Sequence, residues 1–171
     1  MLTRSKLAVT AALACAALIH EAGATQPPDS VVSDTGTDTA MGGFALYLLG
    51  TGYQNTAAGY IALLNMSTGY KSSAFGYAAL ANNWSGSDNA AFGANALFMS
   101  NGSLNSGFGA DALYNLGSTG TQNTAVGSEA SYSSTAGATN VSVGASAMYS
   151  GSSGLSVGEN GVSIKRRGLF S

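Results

Sequence analysis

The sequence has one cysteine and one histidine, Cys15 and His20, and both lie near its start. That opening stretch reads as a removable leader, so the remainder has no thiol, no imidazole and no means of forming a disulfide. An exported chain without disulfides is held together by packing and hydrogen bonding alone. Charge is scarce as well. Charged residues make up 8% of the sequence and the net charge is −2, too little to suggest nucleic acid or an anionic membrane as a partner. A long apolar run is also missing. Leu7 to Ile19 is apolar or small apart from Thr10, but about 13 residues cannot cross roughly 30 Å of hydrocarbon as a helix. No G-x-x-x-x-G-K-S/T phosphate loop occurs, and no regular aspartate of the kind that calcium-binding repeats need.

What the first residues do have is the build of a secretory signal. Arg4 and Lys6 form a short basic region, the apolar run follows, and Ala22-Gly23-Ala24 supplies the small-x-small pattern read by a signal peptidase. Residues 1–24 are therefore expected to be cleaved before Thr25, with 25–34 as a linker. A lipoprotein signal at Cys15 fits poorly, because Ala12-Leu13-Ala14 is not its usual approach and the apolar run continues past the cysteine. Removing 24 of 171 residues leaves about 147, enough for one domain. The 24 glycines would suggest disorder, but low charge and well-represented aromatics are the opposite of a disordered composition.

The order of the residues settles the class. Glycine recurs at Gly42, Gly59, Gly76, Gly93, Gly109, Gly127, Gly144 and Gly158, in steps of 17, 17, 17, 16, 18, 17 and 14 residues. Three places after it stands Ala45, Ala62, Ala79, Ala96, Ala112, Ala130 or Ala147. One place further come Leu46, Leu63, Leu80, Leu97 and Leu113, then Ser131, Met148 and Val162. Just before the glycine is a mostly large apolar residue, as in Met41, Phe75, Phe92, Phe108, Val126, Val143 and Val157. Asn55, Asn89, Asn105, Asn123 and Asn140 sit four places before it, and a second glycine, from Gly52 to Gly151, precedes it by seven in most copies.

Such a period is too short for a helix pair or a propeller blade, and it suits one coil of a narrow β-solenoid. The residues before the shared glycine alternate like a strand, and the glycine can take the positive φ of a sharp corner. The Ala-Leu step then begins a second short strand, although Ala-Leu-Tyr-Asn is also acceptable helix. The expectation is an all-β parallel roll of about eight coils over residues 35–162, with 163–171 as a tail or truncated neck. Identical positions would stack about 4.8 Å apart. The leucine ladder (Leu46, Leu63, Leu80, Leu97, Leu113, Met148) and the Phe/Val ladder would both be buried, and asparagines would hydrogen-bond up the stack.

These residues carry a resemblance. Asn123-Thr124-Ala125-Val126-Gly127 and Asn55-Thr56-Ala57-Ala58-Gly59-Tyr60 resemble the head repeats of YadA-type trimeric autotransporter adhesins. A related N-T-A-x-G-Y-x-A-L pattern occurs in bacterial surface proteins and phage tail-fibre shafts. Ser156-Val157-Gly158-Glu159-Asn160-Gly161 followed by Lys165-Arg166-Arg167 is similar to the neck that follows such heads. The resemblance implies a left-handed roll, a homotrimer, and adhesion to a host or abiotic surface. Family members continue into a stalk and a membrane barrel, and residues 1–171 hold neither. The expected location is the cell surface (outer membrane) if an anchor exists elsewhere, and otherwise the secreted fraction.

No enzyme is expected, nor any cofactor or metal. Among the few charged residues, Asp111 and Glu129 share a register position in adjacent coils. A carboxylate pair for acid/base work is conceivable there, but two solvated surface acids are the ordinary reading. The row Tyr47, Leu64, Ala81, Phe98, Tyr114, Tyr132 and Tyr149 has three roles open to it: a recognition stripe, a seam between subunits, or an inner core layer. Four N-x-S/T triplets begin at Asn65, Asn83, Asn101 and Asn140, and chance explains them in a chain this rich in Asn and Ser. The alternatives to an adhesin head are a monomeric secreted solenoid binding an ordered surface, ice or polysaccharide, and a phage-fibre-like shaft. A regular threonine row would favour the first, and Thr39, Thr56 and Thr124 are interrupted by Ser73, Ala90, Ser106 and Val141.

Overall fold

A computed structural model describes residues 37–150, apart from 118–119 and 135–136, together with the backbone of residues 162–165. The expected signal peptide and linker, Gly158 and the basic end of the tail lie outside the described residues. Seven short strands form in register, one per coil: β1 (Thr39–Met41), β2 (Thr56–Ala58), β3 (Ser73–Phe75), β4 (Ala90–Phe92), β5 (Ser106–Phe108), β6 (Thr124–Val126) and β7 (Asn140–Val143). Each pairs in parallel with the next in chain order, so Ala57 lies opposite Ala74 and Phe75 opposite Phe92. The chain is an all-β solenoid of about six turns. At about 4.8 Å per step the parallel strands span roughly 29 Å.

Among the described residues no eighth parallel strand stacks on β7. Residues Val162–Lys165 make β8, which pairs antiparallel to β7, with Val141 opposite Ile164 and Val143 opposite Val162. This strand closes the hydrogen-bonding edge of β7 instead of extending the parallel stack.

The segment after each shared glycine is not a second strand. It is a turning ribbon in which the residues two and four places on have positive φ, as at Ile61 (53°) and Leu63 (50°) or Asp111 (57°) and Leu113 (54°). A third left-handed residue lies five places before the glycine, for example Lys71 or Gln122. Neighbouring coils still pair through this ribbon: the Ile61 N–H donates to the Gly43 carbonyl at 2.9 Å and the Leu63 N–H to the Ala79 carbonyl at 3.0 Å. Each ribbon is also closed on itself by a bond such as Ala62 N–H to the Gly59 carbonyl, 3.3 Å. Left-handed φ costs an L residue about 1–2 kcal/mol, so the inter-coil bonds must sustain many such residues. A pattern read for strand or helix has no place for this conformation.

The core runs between the sheet and the ribbon. The middle residue of each strand points inward, and all are small: Ala40, Ala57, Ala74, Ala91, Gly107, Ala125 and Ser142. Facing them are the alanines three places after the glycine, buried from Ala62 onward and half-buried at Ala45, and the buried ladder Leu46, Leu63, Leu80, Leu97, Leu113 and Met148. Met66 and Leu116, seven places after the glycine, fill the far end of the section and are fully buried. Among the described residues no helix is long and apolar enough to cross a membrane.

Candidate functional site

Alternation in a three-residue strand sends the first and last side chains to the same face. Here that face is the outside of the sheet. Met41, Phe75, Phe92, Phe108, Val126 and Val143, each just before the shared glycine, are 36–45% exposed. This corrects the expectation of a buried Phe/Val ladder. The interior is already filled by alanine against leucine, so a second file of large side chains has no room within it. The phenylalanines stack on one another instead, Phe75 on Phe92 at 4.9 Å and 6°, Phe92 on Phe108 at 5.2 Å and 8°. Beside them, on the same face, run Thr39, Thr56, Ser73, Ala90, Ser106 and Thr124, all half-buried. Strands β1–β7 contain no charged residue, so this face is a flat, charge-free strip along the whole stack.

The second row has the aromatic side chains five places after the glycine. It divides in two. Tyr47 stands at the first coil, 65% exposed, with its ring edge-on to Phe44 at 5.3 Å. The half-buried Leu64 and the small, buried Ala81 interrupt the row. Beyond them Phe98, Tyr114, Tyr132 and Tyr149 form one continuous stack with centroids 5.1, 4.9 and 5.0 Å apart. The Tyr132 phenol is pushed above its ordinary pKa of about 10, first by the loss of water around its ring and then by Tyr114, Tyr149, Asp111 and Glu129. Asp111 and Glu129 do lie in one row, but each has its own bond: Asn95 Nδ2 donates to Asp111 Oδ1 at 3.1 Å and Ser146 Oγ to Glu129 Oε2 at 3.1 Å.

Sequence reasoning missed several rings, because they fall at positions that vary from copy to copy. Tyr60 stacks on Tyr77 at 5.8 Å, one place after the glycine, and Tyr53 on Tyr70 at 5.2 Å, six places before it. Equal offsets from the shared glycine in successive copies would have revealed both pairs. Of the N-x-S/T asparagines, Asn83 is fully buried, with its amide bonded to the Gly86 N–H at 2.7 Å and to the Gly86 carbonyl at 3.0 Å. That triplet is closed to any glycan.

No family model, curated protein or solved structure matches this chain. What the geometry offers chemically is contact: an apolar strip, stacked rings whose faces cover one another, and a file of phenol hydroxyls.

Proposed function

We propose that this chain is the head module of an exported surface adhesin, acting as a homotrimer whose subunits meet along the outer face of the sheet. One observation supports the reading most directly, the charge-free apolar strip of Met41, Phe75, Phe92, Phe108, Val126 and Val143. A soluble chain gains about 25 cal/mol for each Å² of such surface removed from water, and contiguous exposed apolar patches of this kind mark contacts. The strip repeats at the coil spacing, so another copy of the same chain offers rows of matching pitch. The head-repeat resemblance points to the same assembly. Adhesion then comes from many weak contacts made together by a stiff trimeric rod.

The solution molar mass of residues 25–171, measured by light scattering, tests this. A trimer supports the adhesin head and leads on to binding assays on matrix-coated and abiotic surfaces. A well-folded monomer sinks the trimeric head. The flat outer face, with its half-buried Thr and Ser hydroxyls beside the apolar row, favours one second reading, a monomeric solenoid that binds an ordered surface such as ice or polysaccharide. Thermal hysteresis in the monomer would support that reading, and ordinary freezing would remove its ice version.

A further inference from the structure

Away from the strands, residues six and eight places after the glycine in three neighbouring coils enclose an open groove of about 340 Å³, lined by Asn82, Trp84, Met99, Asn101, Asn115 and Gly117. We propose that this groove binds a short neutral saccharide, with the Trp84 indole as its platform and the asparagine amides as its donors. The proposal deepens the adhesin reading by naming a ligand class, but it needs no trimer.

Three features carry it. Trp84 is the chain's single tryptophan and is 60% exposed. The Phe and Tyr rows close their faces on each other, whereas no described ring lies on Trp84. An open indole face beside hydrogen-bonding groups suits a ligand with one apolar and one polar side, which a pyranose has in its axial C–H groups and its hydroxyls. The second feature is the orientation of the amides. The Trp84 N–H donates to Asn101 Oδ1 at 2.7 Å. A backbone N–H can only donate, so that contact fixes the oxygen of Asn101 inward and leaves its NH₂ as the free end. Asn65 Nδ2 likewise donates to Asn82 Oδ1 at 2.9 Å. The half-buried Asn115 side chain makes no hydrogen bond among the described residues. Its backbone is held by a bond to the Tyr132 carbonyl at 2.9 Å and by the fully buried Leu116 beside it. The third feature is charge. None of the lining residues is ionisable, so nothing there would compensate a phosphate or an acidic sugar, and the chemistry selects a neutral ring. The volume is at the small end of ligand sites, which run from about 300 to 1,000 Å³.

Because Trp84 is the only tryptophan, its fluorescence reports on this groove alone. The experiment titrates the full chain with maltose, lactose, mannobiose and N,N′-diacetylchitobiose, following tryptophan emission, with calorimetry as a second readout. The expected result is a saturable blue shift with at least one of them. By calorimetry, Asn115→Ala should weaken binding about three- to tenfold and Trp84→Ala should abolish it, both with unchanged far-UV circular dichroism. Silence with all four sugars overturns the proposal, as does binding that Asn115→Ala and Trp84→Ala leave undiminished. A responding monomer would keep the groove and remove the trimer. A trimer with silent Trp84 would do the reverse.

Discussion

Asn105 shows how one residue joins three coils. Its N–H donates to Asn89 Oδ1 at 2.9 Å, its Nδ2 donates to the Gly120 carbonyl at 2.9 Å, and its own Oδ1 accepts the Asn123 N–H at 3.0 Å. The same relay runs from Asp38 through Asn55, Ser72 and Asn89 to Asn140, buried over most of its length. An amide suits it because its oxygen accepts a backbone N–H of the next coil while its NH₂ donates to a carbonyl of that same coil. Asn105→Ala would leave the Asn123 N–H and the Gly120 carbonyl buried without partners, which costs about 1–3 kcal/mol for each group. The expected loss is about 2–6 kcal/mol, read as a lower urea midpoint in equilibrium unfolding. Tyr132 gives a prediction in pH. Its phenol is held above the ordinary value, so the folded chain keeps this proton more firmly than the unfolded one. The associated stability is fully present below the unfolded pKa of about 10 and is lost as pH rises through that value toward the folded one. Melting temperature should therefore fall on going above about pH 10, and Tyr132→Phe should flatten that fall.

At the scale of the element, the corner after each strand decides whether a coil can stack. Gly109 has φ of +137°, and a Cβ placed there would lie 2.5 Å from the Gly127 carbonyl oxygen and 2.6 Å from its carbon. Both the backbone angle and the next coil exclude a side chain. Gly109→Ala should cost at least about 2 kcal/mol from left-handed strain and overlap together. Hydrogen exchange should show protection lost first in β5 and β6, which flank that corner. The strands and these corners were legible in the sequence, since a glycine at near-constant spacing after an alternating run has few other meanings. The ribbon was not. Leu63, Leu80 and Leu97 have φ between 50° and 54°, a conformation that leucine adopts only when surrounding bonds enforce it. Those bonds come from adjacent coils, so no local pattern announces them. The reversal at β8 was illegible for the same reason, because the direction of a closing strand depends on the edge it meets.

For the whole molecule, the proposed trimer sets its seam on the sheet's outer face. Phe92 is central to it, with Phe75 and Phe108 stacked on either side. In an assembly along this face, Phe92→Glu would bury a carboxylate without a partner, at a cost of several kcal/mol. In a monomer the same side chain would stay in water. The variant is therefore expected to stay folded by circular dichroism while its mass by light scattering falls from trimer to monomer. An unchanged trimer would place the seam elsewhere, and the stacked Tyr114, Tyr132 and Tyr149 would be the next face to examine.

The sequence by itself determined the repeat, the position of one strand per coil and the identity of the residues that stack, because side chains can form ladders only when the backbone returns at a fixed interval. It also specified the asparagine relay, since an amide recurring in register has its like as nearest neighbour. Only the tertiary structure decided which ladders face inward. Inside and outside were not marked by hydrophobicity, as Phe92 and Leu97 are equally apolar in a pattern. They were decided by width: the space between sheet and ribbon admits alanine against leucine, and the phenylalanines are left on the surface.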